Sequence, residues 1–283
     1  MTTVLTVFAL LAFAANSVLC RLALGHGAAD PASFTFVRLL SGAVALRVIH
    51  AAMRRGNGAW GPVRRPEWIS ATLLFLYAAP FSFAYVSLSA GTGALILFAC
   101  VQATMLAGAM RAGERFRWRE ALGLAIALGG LTYLVFPGLS APDLLGSALM
   151  AIAGIAWGLY SLRGSGSKDP IGDTARNFVL TVPFAVILLV LAIARAHASS
   201  RGVVLAAASG AIASGMGYVA WYAALRGLTR IRASVVQLLV PLVAAAAGIL
   251  LLGETVTLRL ALSAALILGG VAVAVASRPS SSR

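Results

Sequence analysis

The sequence predicts an all-α integral membrane protein of ten transmembrane helices, arranged as two inverted five-helix repeats with both termini cytoplasmic. Three observations predict it. Hydrophobic residues make up 60% of the 283 and charged residues only 11%, against about 25% charged in an ordinary soluble domain. Apolar runs near twenty residues, the length that crosses about 30 Å of hydrocarbon, recur along the whole chain. Finally, a block of the first half returns in register in the second.

Span one covers 3–24. It lacks the basic n-region of a signal peptide and its apolar run continues past Cys20 to Leu24, so it reads as a retained helix; it carries Asn16 and Ser17. The Asp30-Pro31 turn leads into span two, 33–52, which holds Arg38. Span three, 68–89, places Tyr77, Phe81 and Tyr85 four residues apart on one helical face, with Pro80 and Ser82 between them. Span four, 92–110, carries Phe98 and Gln102, also four apart, and span five covers 119–136. Span six, 143–162, pairs Trp157 with Tyr160, and span seven, 172–194, contains Pro183. Span eight, 203–225, gathers Tyr218, Trp221 and Tyr222 on one face. Span nine, 232–252, carries Gln237 and Pro241, and span ten covers 258–276. Turn signals separate them: Gly56-Asn57-Gly58, Gly91-Thr92-Gly93, Pro137-Gly138, Gly164-Ser165-Gly166 and Gly253-Glu254. The polar tail, 278–283, reads as disordered.

Charge sets the orientation. The net charge of +14 comes from 21 Arg and one Lys against eight acidic residues. One side collects Arg54, Arg55, Arg64, Arg65, Arg111, Arg115, Arg117, Arg119, Arg163, Lys168, Arg226, Arg230, Arg232, Arg278 and Arg283. The other has only Arg21, Arg195, Arg201 and Arg259. Cytoplasmic loops carry the basic excess, so both ends of the chain are expected inside. The same distribution, in short loops between apolar runs, explains the charge without nucleic acid as a partner.

Motifs of catalysis are scarce. The sequence has no His-Glu-x-x-His, P-loop or nucleophile elbow. Cys20 and Cys100 lie in apolar runs about eighty residues apart and read as small buried residues. His26, His50 and His197 all fall near span ends, so neither metal nor any other cofactor is expected. The central parts of the spans hold no Asp or Glu. Glu114 and Glu254 stand at helix ends, where a carboxylate suits the helix dipole and unpaired amides; proton coupling is the other role open to them.

The duplication is the best-defined feature. Residues 113–130, GERFRWREALGLAIALGG, match 253–270, GETVTLRLALSAALILGG, at nine of eighteen positions with a constant offset of 140. The matches include Gly113/Gly253, Glu114/Glu254, Arg119/Arg259 and both Gly-Gly pairs, Gly129-Gly130 and Gly269-Gly270. Asp30-Pro31 recurs as Asp169-Pro170 at offset 139. Five spans are an odd number, so the second half enters the bilayer inverted. Inverted repeats are a recurring plan of secondary transporters, with the solute bound near the midplane between halves. The halves fall at 1–138 and 139–277.

The two Gly-Glu loops, each followed by a helix ending in Gly-Gly, resemble the paired EamA domains of the drug/metabolite transporter superfamily. Gln237-Leu238-Leu239-Val240-Pro241 and Trp157-Gly158 are similar to patterns of the same family. Within it the chain resembles the YddG-like exporters of aromatic amino acids. It departs from the pattern where Val101-Gln102 stands opposite Pro241, and where Asn16-Ser17 replaces a common Trp-Gly.

The resemblance implies a multi-pass protein of the cell (inner) membrane that exports small organic solutes by alternating access, aromatic or hydrophobic amino acids first among them. A site lined by rings, with a few amides and hydroxyls, suits such a solute. The residues expected to bind it are Asn16, Tyr77, Phe81, Ser82, Tyr85, Phe98, Gln102, Trp157, Tyr160, Tyr218, Trp221, Tyr222 and Gln237. Arg38 could meet a solute carboxylate or snorkel to the interface. Other drugs or metabolites, a channel, and a non-transporting scaffold are the alternatives. Facilitated diffusion and proton antiport both stay open. One chain holds both halves, so a monomer among membrane lipids suffices.

Overall fold

The computed structural model describes residues 2–53, 65–111, 118–136, 138, 141–164, 167–225, 227–228, 236–237 and 239–276. The helices fall on the expected apolar runs. They are α1 (Thr2–Leu24), α2 (Pro31–Met53), α3 (Arg65–Ala84), α4 (Ala90–Arg111), α5 (Trp118–Val135), α6 (Leu144–Gly164) and α7 (Pro170–Leu191). After a short 3₁₀ turn, Ile193–Arg195, come α8 (Ser200–Leu225), α9 (Leu239–Leu252) and α10 (Leu258–Ala276). Gly113-Glu114, the tail 278–283 and most of the arginines that set the expected orientation lie outside the described residues.

Among the described residues, six helices are long and apolar enough to cross a bilayer: α1, α2, Glu67–Ala84 of α3, α6, α7 and α8. Ala90–Met105, Leu122–Val135, Leu239–Leu252 and Leu258–Val273 are shorter apolar helices. Large hydrophobics cover the outside, with Leu250 at 82% and Leu191 at 81% exposure. That much apolar surface has no place in water, and hydrocarbon is the solvent that fits it.

The turn chemistry starts the helices where the sequence suggested. Asp30 accepts hydrogen bonds from the Ala32 and Ser33 amides at 2.9 and 3.1 Å, with Pro31 opening the first turn of α2. Asp169 does the same for α7, accepting from Gly172 N at 3.1 Å ahead of Pro170. Asp143 caps α6 through Gly146 N at 2.6 Å, and Ser199 caps α8 through Gly202 N at 3.1 Å. These side chains satisfy amides that the helix leaves unpaired.

Helix α8 departs from expectation. It is α-helical at both ends but runs as a π-helix over Ser209–Met216. Ser209, Gly210, Ser214 and Gly215 are buried there against α1 and α2. Small side chains leave room for the wider turn.

In the packing, α2 lies on α7, α5 on α10 and α4 on α9. Helix α3 packs on α6 as α1 packs on α8, and α4 on α6 as α1 on α9. The second glycine of each repeated Gly-Gly pair sits at the α5–α10 crossing. A Cβ on Gly130 would come 2.7 Å from Leu266 Cβ, and one on Gly270 would come 2.5 Å from Gly123 O. Gly129 and Gly269, one position earlier, face open space. Close backbone approach through small residues is how helices associate in lipid, where no hydrophobic drive separates protein from solvent.

Candidate functional site

The centre of the bundle is a cage of rings around Trp157. Its indole stacks on Tyr218 at 5.1 Å and 18°, lies 4.9 Å from Tyr77, and stacks on Tyr160 at 5.4 Å and 27°. Phe81 continues the cage 5.4 Å from Tyr77, and Phe13 and Phe178 flank Tyr218 at 5.9 and 6.0 Å. The sequence suggested this periodicity on three separate helices, and the fold turns those faces toward one another.

These rings enclose a cavity of about 30 Å³, room for a water or two. Asn16, Tyr77, Phe81, Phe98, Trp157, Tyr218 and Gln237 line it, joined by Phe13, Ser17, Leu97 and Ala213. One polar chain runs through its wall. Ser209 Oγ donates to Asn16 Oδ1, Asn16 Nδ2 donates to the Tyr77 hydroxyl at 3.3 Å, and Arg38 Nη2 donates to the same oxygen at 2.9 Å. The π segment of α8 supplies the Ser209 end of that chain.

The remaining expected residues stand elsewhere. Tyr160 and Tyr222 line a second, larger cavity of about 430 Å³ with Glu67, Arg163, Asp173 and Asn177. Asn177 Nδ2 donates to the Tyr160 hydroxyl at 3.2 Å. Tyr85 lies beyond the cage, its hydroxyl donating to Ala90 O at 3.3 Å. The Ser82 hydroxyl donates to Ala78 O of its own helix at 3.0 Å. Trp221 packs on Ala9 and Ala220 in a separate cluster, and Gln102 lies outside both cavities. Arg38 does not reach the interface: it is 1% exposed, over the rings of Phe81 and Tyr77.

The two ends of the bundle differ. The far end, where α1 finishes and α10 begins, is closed by polar links between helices. Arg21 Nη1 donates to Tyr85 O at 3.1 Å and Val86 O at 2.8 Å, and its Nε lies 3.6 Å from Glu254. Both Glu254 oxygens accept from Ala90 N, at 2.9 and 3.0 Å. Glu254 therefore sits at the N-terminus of α4 rather than of its own helix. Gly253 makes this possible: its φ of 65° is a left-handed turn that glycine adopts without strain. Ser87 Oγ donates to Asp143 at 3.0 Å, Arg259 Nη1 to Phe136 O at 2.7 Å, and His197 N to Asp30 at 2.8 Å. Burial would raise the Asp30 carboxyl. Hydrogen bonds from the Ser33 hydroxyl, the His197 amide, and the Ser33 and Ala32 amides outweigh burial and hold it below the usual carboxylate range.

The near end holds the larger cavity. It opens between the start of α3, the end of α6 and the start of α7, with Glu67 and Arg176 paired at 3.2 Å beside it. Tyr160 and Tyr222 form its inner part. Trp157 and Tyr218, one turn deeper on the same helices, line the closed cavity. Tyr160, which lines the larger cavity, stacks on Trp157, which lines the smaller.

Fold and cavities together define a multi-pass helical membrane protein with an enclosed central site. The EamA-like transporter family matches residues 144–276. The chain is 48% identical over 278 residues to the uncharacterized protein PA1977 of Pseudomonas aeruginosa, covering 98% of this chain and 95% of that one. It is 27% identical over 197 residues to an uncharacterized transporter of Archaeoglobus fulgidus, covering 68% and 70%. A crystal structure 20% identical in sequence matches with a TM-score of 0.65 over 94% of both chains, a likeness of fold. An EamA-like transporter domain is thus matched over nearly half of the chain, its second half, and supports a place in the drug/metabolite transporter superfamily. That family is one of membrane transporters of small molecules.

Sequence reasoning missed Phe13, Leu97 and Ala213 as lining residues. Phe13 stands three before Asn16 and four before Ser17, so its signal was present in the helical spacing.

Proposed function

We propose that the protein exports aromatic or hydrophobic amino acids across the cell (inner) membrane by alternating access between two inverted halves, 1–138 and 139–277. In this reading the four shorter helices complete ten spans, and both termini are cytoplasmic, so the near-end cavity faces the cytoplasm. The observation that carries the proposal is the small ring-lined cavity between an end tied by polar links and an end that holds a larger cavity. That asymmetry is what one state of an alternating-access cycle requires.

The packing supports the inverted halves. Exchanging each helix with the one five places on maps the largest helix contacts onto one another: α2–α7, α4–α9 and α5–α10 onto themselves, and α3–α6 onto α1–α8. Such a scheme has two arrangements of similar energy, one open at each end. The composition of the cage supports the solute. Stacked faces of Trp157 and Tyr218 suit a planar or bulky apolar side chain, while Asn16 and Gln237 offer amide groups for its polar end. The cavity of about 30 Å³ is too small for an amino acid, so the Trp157–Tyr218 stack must part when solute enters from the vestibule.

Proteoliposomes containing the purified protein and loaded with unlabelled phenylalanine, tryptophan or leucine should accumulate the labelled amino acid by counterflow. Saturable exchange above empty liposomes is expected. Its absence for all three would overturn the proposal, and currents that do not saturate would indicate a channel.

A further inference from the structure

One fixed charge lies against the cage, and nothing described neutralises it. Arg38 is 1% exposed, and its guanidinium carbon lies 4.7 and 5.2 Å from the centroids of Phe81 and Tyr77, both of which line the cavity. Its Nη2 donates to the Tyr77 hydroxyl; Nε and Nη1 are buried and have no hydrogen-bond partner among the described residues. The described carboxylates are all engaged at helix ends: Asp30 with His197, Glu67 with Arg176, Asp143 with Ser87, Asp169 with His50, Asp173 with Ser167, and Glu254 with Arg21.

The polar chain has a direction. Arginine has no acceptor, so the Tyr77 oxygen accepts from Arg38, and it accepts from Asn16 as well. The Tyr77 proton is then left to donate elsewhere. One unspent hydroxyl proton belongs to the cavity wall, and two unspent nitrogens of a guanidinium lie directly behind the Tyr77 and Phe81 rings of that wall. All three are donors, and either edge of the guanidinium, which Nη2 completes with its second proton, fits the two oxygens of a carboxylate. The backbone holds the arrangement in place: a Cβ on Gly210, in the π segment of α8, would lie 2.0 Å from Arg38 O. Helix α8 thus presses against α2 at the level of the guanidinium.

We infer that Arg38 is the residue that binds the carboxylate of the transported solute, so that the site selects aromatic carboxylates and rejects the corresponding amides and amines. Among the described residues, the α-ammonium of an amino acid meets no carboxylate in the cage and contributes little. Net anions that keep the ring and the carboxylate but lack the amine are therefore bound at least as well as amino acids. This rests on the reading of the central cavity as the transport site.

Four probes sharing one ring separate the possibilities: phenylalanine, 3-phenylpropionate, phenylalaninamide and phenethylamine. Binding is read from the fluorescence of Trp157 in detergent-purified full-length protein, with Trp157→Phe as the control for signal from other tryptophans. Transport is read by inhibition of phenylalanine counterflow. The two carboxylates should bind at least tenfold tighter than the amide and the amine, and Arg38→Met should bring all four within about twofold. Arg38→Met should also raise the thermal midpoint, since it removes an unpaired buried charge; Arg38→Lys should keep part of the discrimination. If wild-type protein binds the amide as well as the acid, the inference fails while the transporter reading stands. A lower thermal midpoint for Arg38→Met with unchanged discrimination makes the arginine structural and overturns the inference. If none of the probes binds or inhibits, the transport-site reading fails and the inference with it. If Arg38→Met does not fold, the wild-type comparison of acid with amide decides.

Discussion

Glu254 offers the sharpest test of how the far end is closed. Glu254→Ala removes the acceptor for the Ala90 amide at the start of α4 and the partner of Arg21. A hydrogen bond to a charged group contributes about 1.5–3 kcal/mol. The ion pair, at 3.6 Å with side chains 25% and 15% exposed, adds under about 1 kcal/mol after screening. Together they favour the sealed end by about 2–4 kcal/mol, a shift of about 30- to 1,000-fold in the ratio of sealed to open states. Native thiols report the shift, because Cys20 and Cys100 are both free and buried. A bulky membrane-impermeant maleimide applied from the far side should label wild-type protein slowly and Glu254→Ala at least tenfold faster. Glu254→Gln, which keeps an acceptor for Ala90 but loses the charge, should fall between. Equal labelling rates for wild type and Glu254→Ala, with Glu254→Ala still folded, would refute the claim that this carboxylate holds the far end shut.

Four further outcomes follow from the same geometry. Trp157→Ala removes ring contacts with Tyr77, Tyr160 and Tyr218, each worth about 0.5–1.5 kcal/mol beyond area; apparent affinity in counterflow should fall at least tenfold. Gly270→Leu forces side-chain atoms where a Cβ alone would lie 2.5 Å from Gly123 O, and should lower the thermal midpoint by the equivalent of about 1–3 kcal/mol. Gly269→Ala faces open space within a helix and should raise stability by about 0.5–1 kcal/mol; both midpoints are readable by thermal unfolding in detergent. Asp30 has a folded-state pKa below its unfolded value, so it stabilises the fold fully above about pH 4 and loses that contribution as pH falls through the lower folded value. Asp30→Asn should therefore be less stable than wild type at neutral pH, with the gap narrowing below about pH 4; a gap that widens on acidification counts against the assignment.

The helices and the ring faces were legible in the sequence because hydropathy and helical spacing are local. Depth and partner were not. Tyr85 shares a face with Tyr77 yet lies two turns further on, just past the end of α3, against the backbone at the start of α4. Spacing fixes an angle around the helix, and only packing says which part of the stripe meets the cavity. For Arg38, depth was decisive: seven residues past Pro31, at 1.5 Å each, puts it about 10 Å into α2, and α8 closes over it. The clearest illegible feature is the joint role of Ser209 and Tyr218. Nine residues in a regular α-helix are two and a half turns, which puts the two on opposite sides. Both nevertheless serve one wall: Ser209 bonds Asn16, and Tyr218 lines the cavity with it. The π segment at Ser209–Met216 resets the phase between them. Hydropathy cannot report that reset, because the Ser, Gly and Ala that permit a wide turn are the same residues that let membrane helices pack closely.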